Sequence, residues 1–418
     1  MRALRLLTIG LLGAAFVCAQ VTFTEYPIPT GGGRPYGITK GPDGNLWFTE
    51  FNSNKIGRIT PAGMITEFPV LGAGNPVDIT AGPDGNLWFT EYSGDKIRRI
   101  TPAGVITEFP IPSGNSFTYG IAAGPDGNLW SAEIGTGIIG RITPSGLITE
   151  YPIPTSNSDP IQIASGPDGN LWFTEGTPNK IGRITTGGAI TEFLVPTAGA
   201  LPYPIIAGPD DSLWFAEYHG AKIGRIATTG VITEFPIPSS FVSGLTVGSD
   251  GNLWYVGSGN IGRITLGGFV TEFPVPNSGS PVEITMGPDG NLWFTDQGSN
   301  SIGKINIGCS PPAISAAAPN PSVLWPPNHK MIPVNMSATT SGGCGAVLCQ
   351  ITSVSSNEPV DPDGDWVITG NLTLALRAER LGDGTGRVYT ITVQCTDGSG
   401  KSMIKTASVS VLHEQSLQ

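Results

Sequence analysis

Six carboxylates recur at one place in a repeated motif. GPDGNLWFTE, first read at Gly41 to Glu50, ends in Glu50, Glu91, Glu133, Glu175, Glu217 and Asp296 in successive copies, with Gly257 as the exception. Carboxylate oxygens are what a hard cation takes as ligands. A carboxylate present in nearly every copy also suits hydrogen bonding common to the whole repeat, and that structural role is the favoured one. Histidine is scarce: of His219, His329 and His413, only His219 lies among the repeats. It stands two residues after Glu217 in EYHGAK, so Glu217 and His219 are the candidate pair for acid–base chemistry, set against an ordinary exposed loop. Asp361, Asp363 and Asp365 in DPDGDW have the alternating oxygen spacing of a calcium loop and are candidate metal ligands. That segment lacks a bidentate glutamate at the expected distance, and an acidic turn is the favoured reading.

The elements that position these residues follow from the repeat. Its tryptophans, Trp47, Trp88, Trp130, Trp172, Trp214, Trp254 and Trp293, are spaced by 41, 42, 42, 42, 40 and 39 residues. Each unit reads as an inner strand such as PVDITAG, a Pro-Asp-Gly turn, the strand NLWFTE, a polar loop, a KIGRIT strand, a second turn and an ITEFP strand. Four short strands in about 40 residues is the arithmetic of a propeller blade. The last unit stops at Ile305-Asn306-Ile307 without an ITEFP strand, while the chain begins its repeats with an orphan FTEYP at Phe23 to Pro27. The N-terminal strand must therefore complete blade seven, which removes two open sheet edges. The expected fold is all-β: a seven-bladed β-propeller closed by the N-terminal strand, followed by a C-terminal β-sandwich of immunoglobulin-like type.

Composition agrees with this. Gly 59 and Pro 37 beside only 13% charged residues favour short strands and tight turns. A net charge of -11 argues against nucleic acid as a partner. The N-terminal run from Leu6 to Val17 behind Arg2 and Arg5 reads as a signal peptide over 1–19, so a secreted or periplasmic protein is expected. No stretch approaches the roughly 20 apolar residues a membrane span needs. The propeller is assigned to 20–308, a Pro/Ser/Ala-rich linker to 309–322, and the sandwich to 323–418. Export favours pairing of Cys309, Cys344, Cys349 and Cys395, for which three connectivities exist. An intersheet Cys349–Cys395 bridge, with Cys309 joined to Cys344, is the working choice.

GPDGNLWFTE, NKIGRIT and ITEFPIPT in sevenfold repetition resemble the streptogramin B lyase, or virginiamycin B lyase, family from Val21 to about Ile307. The resemblance implies opening of a cyclic depsipeptide at its ester by elimination, with Mg²⁺ as the implied cofactor. It also places the chemistry at the starts of the inner strands of blades six and seven, as Pro-His and Glu-Pro-His. Ser243, Ser280 and Val282 stand at the matching positions here, and none supplies a base or a carboxylate. Glu283 is adjacent, but neighbouring strand residues point to opposite faces. Around the ring the matching positions are Tyr36, Val77, Tyr119, Ile161, Tyr203, Ser243 and Val282. Tyr36, Tyr119, Tyr203, Ser243 and Val282 are the candidate ligand-binding residues, for a small-molecule, peptide or glycan ligand at the channel mouth. The alternative is that the tyrosines plug the channel. Two functions stay open: a binding or interaction protein on a lyase scaffold, and an active Mg²⁺-dependent carbon–oxygen lyase.

Overall fold

The computed structural model describes residues 21–307, 313–341, 347–397 and 402–412, except Ala73, Asp363 and 383–385. Residues 1–19, expected to be a signal peptide, lie outside the described residues, as do Cys309, Cys344, Asp363 and His413. Seven four-stranded antiparallel sheets follow one another along the chain in meander order. Blade one, for instance, runs Pro35–Lys40, Leu46–Glu50, Lys55–Ile59 and Ile65–Pro69. In the seventh sheet, Thr22–Pro27 pairs antiparallel with Ser301–Asn306, Thr22 opposite Asn306 and Pro27 opposite Ser301. The N-terminal strand thus closes the ring as the orphan FTEYP requires.

The repeated residues hold the blades together. Each tryptophan is buried, and its indole N–H donates to the turn aspartate four residues earlier, as from Trp47 to Asp43 at 3.0 Å. Its face stacks on the aromatic ring of the outermost strand, Trp47 on Phe68 with centroids 5.4 Å apart. Its far side meets the next blade, where Trp47 shares a core with Ile79, Leu87 and Phe89. Gly57 of the third strand lies against the Phe48 ring; an added Cβ would meet Phe48 Cζ at 2.0 Å, so only glycine lets the phenyl lie flat there.

Two further four-stranded sheets form the C-terminal sandwich around one core containing Leu324, Val334, Leu376 and Tyr389. Two expectations change here. Ala313–Asn320, assigned to a linker, is a strand hydrogen-bonded to Met331–Ser341. Its small and apolar residues alternate in exposure, and that period-two signal is weak in a Pro/Ser/Ala-rich segment. The Cys349–Cys395 disulfide is present, but it joins facing residues on adjacent strands of one sheet and does not bridge two sheets. Asp365 is buried and spends its carboxylate on Arg387 Nη1 at 2.6 Å and on the Asp361 N–H at 3.1 Å. It anchors a turn and is not turned outward as a calcium ligand. Among the described residues no helix is long and apolar enough to cross a membrane.

Candidate functional site

Every inner strand carries a β-bulge at its start. In blade one the register against the second strand shifts between Pro35 and Ile38, in blade three between Thr118 and Ile121, and in blade five between Pro202 and Ile205. A bulge re-aims the side chains inside it. Tyr36, Tyr119 and Tyr203 occupy these bulges, and each has its carbonyl pinned by a threonine hydroxyl from the preceding blade. Thr295 donates to Tyr36 O at 2.7 Å, Thr90 to Tyr119 O at 2.6 Å and Thr174 to Tyr203 O at 3.0 Å. The threonine belongs to LWFTE, so one repeated residue fixes the backbone behind a variable one.

The three phenols meet over the channel. Tyr203 OH donates to Tyr119 OH at 2.8 Å, Tyr36 OH lies 3.2 Å from Tyr203 OH, and Tyr36 and Tyr119 also share a hydrogen bond. Their rings pack edge to face, with Tyr119 at 5.8 Å from both others. The tyrosines therefore meet across the channel and floor a cavity above it. Burial pushes the Tyr36 phenol up to about 12 and the Tyr203 phenol well above 10.0, so both stay protonated at any ordinary pH.

The cavity above this floor measures about 630 Å³. Six of the seven ring positions line it; Val77 is fully buried and does not. Ser243 donates to Val282 O at 2.7 Å, which commits its hydroxyl to joining blades six and seven. Two aromatic runs flank the floor, and of their members Tyr92, Tyr218 and Phe241 line the cavity. Phe51, Tyr92 and Phe117 form one run, with Tyr92 and Phe117 centroids 5.4 Å apart. Tyr218, His219 and Phe241 form the other, with Tyr218 and Phe241 also at 5.4 Å. Arg34 and Gln297 line the rim between blades seven and one, joined by a 3.2 Å hydrogen bond.

Glu217 and His219 do not converge, which corrects the expected pair. Glu217 is wholly buried at the end of its strand, whereas His219 is exposed in the turn beyond and packs against Tyr218 and Phe241. The chain reverses between them, so a two-residue separation in sequence does not put both on one face. Burial, with Glu234 alongside, pushes the Glu217 carboxyl up to about 7. The other repeated carboxylates are likewise turned into their own blades: Glu50 accepts from Ser53 at 2.6 Å, Glu133 from Thr136 at 3.0 Å, and Asp296 from the Ser280 N–H at 2.7 Å. Glu91 pairs with Arg98 of its own blade at 2.8 Å, and none of these carboxylates lines the upper cavity.

Glu283 faces the channel on the other side of the tyrosine floor, where with Asp78 and Gln162 it lines a second cavity of about 390 Å³. Asp78 accepts from the Ile121 N–H at 3.0 Å and from Gln162 at 3.3 Å. Burial and the neighbouring Asp78 charge push the Glu283 carboxyl well above 4.5. No carboxylate or imidazole lines the upper cavity among the described residues, and no group of three metal-binding side chains converges. Magnesium takes carboxylate oxygens. The hydroxyls, aromatic rings and guanidinium of this cavity do not fit it.

Tyr92, Tyr218, Phe241, Gln297 and Arg34 were not anticipated from sequence. A signal existed. Each follows the repeated second-strand carboxylate or precedes an inner strand, places where the copies differ while their neighbours repeat.

Comparison with known proteins adds the following. The sequence profile of the virginiamycin B lyase family matches residues 17–163 and 139–311. The crystal structure of virginiamycin B lyase from Staphylococcus aureus superposes with a TM-score of 0.66 at 40% identity, covering 69% of this chain and 99% of that one. A catalytically inactive histidine-to-alanine variant of that lyase, solved with quinupristin, matches equally well, at 40% identity and TM-score 0.66 over 69% of this chain and 99% of that one. The virginiamycin B lyase of Bordetella parapertussis is 43% identical over 51 residues, 12% of this chain and 17% of its own length.

Proposed function

The chain belongs to the virginiamycin B lyase family, and from that premise we propose that it is an exported ligand-binding member whose upper cavity holds its ligand without opening it. The observation that carries this reading is the cavity lining. Elimination at an ester needs a base for the proton α to the carbonyl and a means of stabilising the resulting charge. The described lining offers neither a carboxylate nor an imidazole, and Ser243, Ser280 and Val282 stand where the family's resemblance implies them. Replacing one histidine is enough to inactivate the Staphylococcus aureus relative. Here His219 is the propeller's one histidine, and it lies outside the lining. The Tyr36 and Tyr203 phenols are no substitute base, because burial raises both and keeps them protonated.

Active lyase chemistry is the competing reading, and 40% identity across nearly all of the Staphylococcus aureus lyase favours it. Incubation of the purified protein with a type B streptogramin and Mg²⁺ separates the two. Elimination gives a linear isomer of unchanged mass, resolved by chromatography and fragmentation. The binding reading predicts that the cyclic compound is recovered intact. Ring opening that disappears in His219→Ala would establish the lyase.

A further inference from the structure

We infer that the ligand of the upper cavity carries a carboxylate and that Arg34 is its anchor, the ligand being a short aromatic peptide with a free C-terminus. This rests on the proposed binding function and adds the chemical class of what is bound.

Four observations converge on Arg34. It is the cationic residue in a lining that has no described carboxylate, on a chain of net charge -11. The repeat's other arginines are spent on carboxylates, as Arg225 is on the turn aspartate Asp210 at 2.7 Å, Arg263 on Asp250 at 2.7 Å and Arg98 on Glu91 at 2.8 Å. Arg34 has no ion-pair partner among the described residues. Its guanidinium is nonetheless held in place: Nε donates to Gln297 Oε1 at 3.2 Å, Gln297 is tied to Pro35 O at 3.2 Å, and the guanidinium face lies 5.2 Å from the Phe51 ring centre. That leaves the terminal nitrogens, the pair that suits bidentate carboxylate recognition.

Backbone conformation points the same way. The residue just before the inner strand is left-handed in six blades. Asn75 and Asp159, types that tolerate this geometry, fill it at φ 55° and 41°. Arg34, Phe117, Leu201 and Phe241 fill the matching places at φ 52°, 43°, 52° and 57°, and Phe241 leaves 52% of its surface in solvent. Bulky side chains in this strained conformation cluster at ligand sites. Here they set a cation and a phenyl ring on the rim of one cavity, with Tyr92 and Tyr218 on its walls. The Ser243 hydroxyl proton is already given to Val282 O, and the distinctive feature of the lining is one cation among aromatic rings. Aromatic side chains with one terminal carboxylate match what remains, and about 630 Å³ falls within the usual size of small-ligand pockets.

The test is calorimetric titration of the full chain with N-acetyl-phenylalanyl-phenylalanine and with its C-terminal amide. The acid is expected to bind about tenfold more tightly than the amide, the scale of a charge-assisted pair. Arg34→Gln should erase that preference, so that acid and amide bind with equal affinity. Arg34→Lys should keep part of it, and Phe241→Ala should weaken acid and amide alike. Equal binding of the two probes, binding of neither, or a preference that survives Arg34→Gln overturns the assignment. Streptogramin ring opening would overturn the binding function instead, and the acid-to-amide ratio would still decide the role of Arg34.

Discussion

Tyr36, Tyr119 and Tyr203 illustrate how a residue's meaning depends on its neighbours. Sequence placed them at one position of three blades and left open whether they bind or plug; only the bulges and the threonine pins show the phenols meeting one another. Removing one hydroxyl leaves a buried partner short of a hydrogen bond, so Tyr203→Phe should cost about 1 kcal/mol, read as a lower urea midpoint at unchanged slope. The buried phenols also predict an ultraviolet signature. With Tyr36 pushed up to about 12 and Tyr203 well above 10.0, the native protein should ionise fewer tyrosines at pH 11 than the denatured chain does. Equal titration of the two states would show that the floor is open to water. Glu217 and His219 teach the converse: sequence proximity suggested a pair, and the turn between them separates a buried carboxyl from an exposed ring.

At the scale of the strand, the buried carboxylates give the propeller a pH dependence of definite sign. Burial pushes Glu50, Glu133 and Glu217 up to about 7, and burial with Glu192 beside it pushes Glu175 up to about 8, all from 4.5. The folded chain therefore holds protons that the unfolded chain has released. Their contribution is full below 4.5, declines as pH rises through the window to about 7 or 8, and then levels off. The turn aspartates act oppositely. Burial of Asp43 and Asp168 is outweighed by hydrogen bonds from Asn45 and Trp47, and from Asn170 and Trp172, which hold both carboxyls below 3.8 and lose their contribution only in stronger acid. Thermal midpoints should accordingly be higher near pH 5 than near pH 8, and Glu175→Gln should flatten the decline. A midpoint that rises from pH 5 to pH 8 would contradict the assignment. The same strands predict that Gly57→Ala, which forces a methyl into the Phe48 ring, costs about 1–3 kcal/mol.

For the whole molecule, internal repetition made most of the fold legible. Seven tryptophans, seven turns and an orphan N-terminal strand fix blade number and closure, because each copy repeats the same packing problem. Deleting Thr22–Pro27 should leave Ser301–Asn306 as an open edge and produce aggregation in size-exclusion chromatography. The sandwich was less legible. It has no repeat, its first strand hides in a segment resembling a linker, and the disulfide's sheet could not be read from strand pattern alone. The site fell between these cases: six of its ring positions followed from the family resemblance, while Arg34, Tyr92, Tyr218 and Phe241 lie where the copies diverge. The central claim is that a lyase scaffold here retains a cavity without the groups that eliminate. It is tested most directly by incubating the full protein with a type B streptogramin and Mg²⁺ and separating the products by chromatography with mass detection. Recovery of the intact cyclic compound is the predicted result; a linear isomer formed at a rate that scales with protein concentration would contradict it.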